Sequence, residues 1–192
     1  DIDNMEQAWE LIRKNRPPFI GFSPYYDTLK RDLKHIDHAL ELSPNSIIVI
    51  GGYEASLNSQ WRDLGGLIDI LVRGEGEIPM LKLTQEYKKF SNGNRVDKKK
   101  FLGSLKDNPV IKDIPAISIL EPGKTAEIIP LERITTEFYN EISLNAFEKH
   151  LDISPVEKYW KVGRAMFGGR KDTYFRFITR DFCPYKCIFC ES

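Results

Sequence analysis

Three short apolar runs, each ending in small residues, constrain this chain more than any other feature. Phe19-Ile20-Gly21-Phe22-Ser23 is the first, and Ile68 to Val72, followed by Arg73-Gly74-Glu75-Gly76-Glu77, is the third. Between them, Ile47-Ile48-Val49-Ile50 is β-branched throughout and closed by Gly51-Gly52. Such a run, with no polar alternation, suits a parallel strand covered on both faces. The segments around the runs are amphipathic. Met5, Trp9 and Ile12 recur at helical spacing behind a cap at Asp3, and Pro17-Pro18 ends that helix. Leu29, Leu33, Ile36 and Leu40 form one helical stripe with Asp27 as its N-cap. A further helix runs from about Pro79 to Phe90, with proline in its first turn. The βαβαβα order predicts an α/β fold with an open parallel sheet. Three strands make a thin sheet and the first helix has no strand before it, so upstream strands are expected.

Beyond this series the pattern weakens. Residues 88 to 112 carry eight basic side chains and two acidic ones around Ser91-Asn92-Gly93-Asn94. They read as a linker or exposed excursion in preference to a basic patch for nucleic acid. Ile114 to Leu120 and Thr125 to Ile129 flank Glu121-Pro122-Gly123-Lys124 as a β-hairpin. Residues 131 to 172 read as a mixed connector with helical pieces. Tyr174 to Arg180 then reads as a new strand. The expected layout is an α/β domain over 1–105, a connector with hairpin and short helices over 106–172, and the start of another domain over 173–192.

Composition narrows the function classes. Of 192 residues, 41% are hydrophobic, enough to bury a core. The 28 basic and 28 acidic side chains cancel, so no global attraction to nucleic acid or an anionic membrane arises. No apolar run is long enough to span a bilayer and no secretory signal is visible, which predicts a cytoplasmic protein without membrane partners. The chain begins at Asp1 without an initiator Met and stops two residues after its last cysteine, so a longer natural protein is expected.

The chemistry concentrates in Cys183-Pro184-Tyr185-Lys186-Cys187-Ile188-Phe189-Cys190. All three cysteines of the chain lie there, and an odd number so closely spaced is a poor disulfide framework. Three thiolates in one loop can hold three irons of a [4Fe–4S] cluster and leave the fourth open to a substrate. Structural zinc would need a fourth ligand nearby, and all three histidines lie at or before His150. Three unligated thiols are the remaining alternative.

This loop, with proline after the first cysteine and an aromatic before the third, resembles the signature of the radical S-adenosylmethionine (SAM) superfamily. There the motif follows the first strand of a partial (β/α) barrel, the place Tyr174 to Arg180 would take. The resemblance implies that Cys183, Cys187 and Cys190 ligate the cluster and that the open iron chelates SAM. Phe189 would lie beside the adenine; its plainer reading is a packing aromatic. Reductive cleavage would give methionine and a 5′-deoxyadenosyl radical. An electron donor such as flavodoxin or ferredoxin and a small-molecule substrate follow from the same resemblance.

The first half of the chain is similar to the cobalamin-binding domain that precedes many radical SAM barrels, a flavodoxin-like fold. The likeness rests on Gly21-Phe22-Ser23, the Gly51-Gly52 strand end and Val72 to Glu77. In those domains a Ser-x-Thr turn precedes a Gly-Gly turn. Here Ser23-Pro24-Tyr25 is followed by 25 residues and then Gly51-Gly52, with Tyr25 replacing the threonine. The family's Asp-x-His-x-x-Gly motif, whose histidine can ligate cobalt, would lie before Asp1. The resemblance implies that Ser23, Tyr25, Gly51, Gly52, Arg73 and Gly74 line a corrin crevice at the carboxyl ends of the strands. Its intact members transfer carbon at unreactive positions, as methyltransferases or cyclases. The alternatives are a cobalamin-independent radical SAM enzyme, such as a tRNA methylthiotransferase, and a non-enzymatic cobalamin-binding or redox-sensing module.

Three other features read as decoys. Gly74-Glu75-Gly76 has Pro79 where a dinucleotide fingerprint wants a small residue, and Gly123-Lys124-Thr125 lacks the first glycine of a P-loop. His35 and His38 sit three apart but point away from the Leu29/Leu33/Ile36/Leu40 stripe, which predicts solvated surface.

Overall fold

A computed structural model describes residues 5–127, except Tyr26, Asn58, Glu75, Pro115 and Ala116. Helix α1 (Met5–Asn15) leads into strand β1 (Phe19–Phe22). Arg16, at φ 44°, ends the helix by donating its N–H to Ile12 O at 2.8 Å, and Pro17-Pro18 prevents continuation. Helix α2 (Leu29–Leu42) comes next, then β2 (Ile47–Ile50). The N-cap of α2 is Thr28, not Asp27. The Thr28 hydroxyl is engaged locally, accepting from Tyr25 N at 3.0 Å and reaching the Asp32 carboxylate, rather than capping a backbone N–H of the helix. Helix α3 (Gly52–Leu57) and a 3₁₀ turn (Ser59–Asp63) lead to β3 (Ile70–Val72).

Strands β1, β2 and β3 lie side by side in chain order and run parallel, with Phe19 opposite Ile47 and Val49 opposite Ile70. This is the expected α/β architecture, consistent with an incomplete flavodoxin-like sheet. The β2 and β3 runs are buried on both faces, as their lack of alternation required, whereas in the edge strand β1 only Ile20 is buried. Ile20, Ile48, Ile50 and Leu71 face α1, α2 and α3, meeting Trp9, Ile36, Ala39, Ala55 and Trp61. Ile47, Val49, Ile70 and Val72 face the opposite layer. Stepping in one direction through parallel strands places successive crossovers on one face, leaving the other for the helices after β3.

Those helices are more ordered than the sequence suggested. Helix α4 (Glu77–Ser91) ends at Asn92-Gly93, both at positive φ, and is succeeded by α5 (Lys98–Leu105) and α6 (Pro109–Lys112). The tract expected to be a linker or exposed excursion therefore supplies core. Phe101 and Leu105, four residues apart on one face of α5, are fully buried with Ile111 against Leu83 and the second face of the sheet. Asp97 starts α5 by accepting Lys100 N–H at 3.0 Å, and Asn108 starts α6 by accepting Val110 N–H at 2.9 Å. Lys99 and Lys100 occupy the outer face, while Lys98 turns inward to Asp69. Lys89, first, and Asn108 hold the Glu86 carboxyl below its ordinary value by hydrogen bonding, which ties α4 to the start of α6.

Strand β4 (Ile117–Ile119) then returns antiparallel beside β3, with Val72 opposite Ile117, so the sheet is mixed and extends past residue 105. Of the expected second hairpin arm, Thr125–Glu127 is described and forms no strand. Ala126 N–H donates instead to Arg62 O at 3.1 Å, and Thr125 Oγ1 bonds Asp63 at 2.6 Å, drawing the arm toward the 3₁₀ turn. His35 and His38 are half-buried rather than fully solvated, the His38 side chain remaining 43% exposed. Trp9 of α1 meets both imidazoles edge to face, at centroid distances of 5.5 and 4.9 Å, because α1 packs on that flank of α2. The expected strand at Tyr174 to Arg180 and the later connector lie outside the described residues. Among the described residues no helix is long and apolar enough to cross a membrane.

Candidate functional site

Parallel strands in one sheet end along one edge, so the three small-residue turns are brought together by topology alone. Ser23-Pro24-Tyr25 leaves β1, Gly51-Gly52 leaves β2, and Arg73-Gly74 leaves β3. The six residues expected to line a crevice therefore share the carboxyl-terminal edge of the sheet.

Their contacts are close. Gly51 N–H donates to Phe22 O at 3.0 Å, extending the β1–β2 pairing by one bond beyond the strands. Gly52 adopts φ +85°, open to glycine and strained for other residues. A Cβ on it would stand 2.2 Å from Ser23 Oγ and 3.3 Å from Ser23 Cβ, so the β1 turn lies close against residue 52. Tyr25 stands outward, 63% exposed, its backbone N–H and C=O both engaged by the Thr28 hydroxyl.

One residue that the sequence did not single out joins the β2 and β3 turns. Ser56, one turn into α3, donates its hydroxyl to Gly52 O at 3.0 Å and accepts Gly74 N–H at 2.8 Å. Its backbone carbonyl accepts from the Arg73 guanidinium at 3.1 Å. The spacing from Gly52 is legible as a helical back-bond, but the bond to Gly74 depends on which loop lies opposite.

Two glycines near this edge lack an internal reason to be glycine. Gly76, at φ −92°, and Gly21, in β1, have no described atom within 4 Å of where a Cβ would be. Bare backbone facing open space is what close approach by a ligand requires. The edge thus carries peptide groups, the Ser23 and Ser56 hydroxyls, the Arg73 guanidinium and, in the first turns of α3 and α4, the Glu54 and Glu77 carboxylates. Among the described residues no group of three or more His, Cys, Asp and Glu could hold a metal ion.

Cys183, Cys187, Cys190 and Phe189 lie outside the described residues. Of the decoys, Gly123-Lys124-Thr125 forms a turn in which Lys124 pairs with Glu121 at 2.7 Å. Comparison with known proteins gives no matching family model and no matching curated protein.

Proposed function

We propose that this chain is part of a cytoplasmic, cobalamin-dependent radical SAM enzyme acting on a small-molecule substrate, a methyltransferase or cyclase. The observation that carries the reading is the C-x3-C-x2-C run at Cys183, Cys187 and Cys190, three thiolates in eight residues. That donor set fits a [4Fe–4S] cluster with one open iron. Phe189 would pack beside the adenine of SAM. The glycine-bearing edge supports the cobalamin half, with Gly51 and Gly52 admitting a bulky group close to the backbone and Ser23, Tyr25, Arg73 and Gly74 flanking it. When bound, the cluster and SAM supply radical generation and cobalamin supplies methyl transfer. The chain's own residues bind and orient these groups. Electrons would come from a flavodoxin or ferredoxin.

The test is metal and sulfide content after anaerobic reconstitution with iron, sulfide and hydroxocobalamin. The reading expects about four irons and about one cobalt per chain, with iron lost on replacing the three cysteines by alanine. Iron without cobalt would remove the cobalamin half. Zinc in place of iron would sink the whole reading.

A further inference from the structure

We infer that Ser56 is a positioning residue that sets the separation between the β2 and β3 turns and so the width of the crevice. The inference rests on the reading of that edge as a cobalamin site. A serine hydroxyl has one proton to give and two lone pairs to receive with. Here the proton goes to Gly52 O at 3.0 Å and one lone pair takes the Gly74 N–H at 2.8 Å. The same residue's carbonyl holds the Arg73 guanidinium at 3.1 Å. The resemblance puts Gly52, Arg73 and Gly74 at the ligand, yet nothing in their own sequence fixes one turn against the other. Ser56 supplies that constraint from behind, through a half-buried helix position that need not touch the ligand. Gly51 adds little restraint: a Cβ there would meet the β3 strand only at Val72, 3.8 Å away.

The experiment compares the full chain with Ser56→Ala and Ser56→Thr. Threonine keeps the hydroxyl and its bond to the preceding turn of the helix. Amide hydrogen exchange at Gly74 without ligand, and hydroxocobalamin affinity from visible absorbance, are measured for each. Losing the hydroxyl should speed Gly74 exchange about tenfold and weaken cobalamin about tenfold, the value of one well-made hydrogen bond. Threonine should restore both. If Ser56→Ala speeds exchange but leaves affinity at the wild-type value, the positioning role is overturned while the cobalamin reading stands. If the wild-type chain takes up no hydroxocobalamin, the cobalamin reading falls and the role of Ser56 toward it falls too, whatever Gly74 exchange shows.

Discussion

Replacing Phe101 by alanine separates a structured α5 from a lysine-rich linker. Phe101 is fully buried between α4 and the second face of the sheet. Its ring meets Tyr87, Phe90 and Phe19 edge to face at 5.0, 5.6 and 6.2 Å. Truncating a buried phenylalanine costs about 3–5 kcal/mol, and the three edge-on rings, each adding about 0.5–1.5 kcal/mol beyond area burial, place this site toward the upper end. Domain stabilities run about 5–15 kcal/mol, so the loss is a large fraction of the total. With a urea slope of about 2 kcal/mol per molar, the unfolding midpoint should fall by about 2 M. Tryptophan fluorescence reports the transition, because Trp61 is buried on the opposite face of the same sheet. Phe90→Ala is the control. That ring is 44% exposed, and its loss should cost about 1 kcal/mol. A Phe101→Ala penalty no larger than the control's would refute the packing of α5 against the sheet.

Two further outcomes arise from the charges. Asp69 Oδ2 accepts Ile48 N–H at 2.8 Å and the Lys98 ammonium at 3.0 Å, with both side chains largely buried. Asp69→Asn should therefore cost on the order of 3 kcal/mol by leaving the cation unpaired, and adding Lys98→Met should recover much of it. Equal effects of Lys98→Met in both backgrounds would show that the pair is uncoupled. Glu121 accepts from Lys106 at 2.6 Å and Lys124 at 2.7 Å, and these bonds, Lys106 first, lower its carboxyl to about 2 from 4.5. A lowered folded value means that this stabilisation is present above pH 4.5 and is lost as pH falls toward 2. Carbon-13 titration of the Glu121 carboxyl should show that low midpoint, and a midpoint near the ordinary value would show that the lysines do not hold it.

Ile47–Ile50 is legible as a doubly covered strand because composition alone fixes the burial of four β-branched residues in a row. The shared edge of the three turns comes with it, since parallel order leaves no other arrangement. The tract from Lys98 to Lys112 is harder to read because charge dominates its composition, although Asp97 as a cap and Phe101 and Leu105 at helical spacing are signals that the sequence does carry. His35 and His38 mislead for a different reason. A helical wheel shows which stripe meets the sheet, but not that a second helix carrying Trp9 packs on the flank. Ser56 is out of reach because its bond to Gly74 spans 18 residues and exists only once β2 and β3 are paired.

The two ends of the sheet are chemically unlike. Where the strands begin, Asn45 grips the start of α5 through Val96 O and Lys98 N, while Lys98 bridges Asp69 and Ser46 O. Donors and acceptors there satisfy one another, and the knot pins the second helical layer to the strands. Where the strands finish, the chain presents glycine and peptide. Selection can therefore act on the two ends separately: substitutions that harden the knot change how long the domain survives without reshaping the turns, and the turns can drift while the scaffold beneath keeps its form.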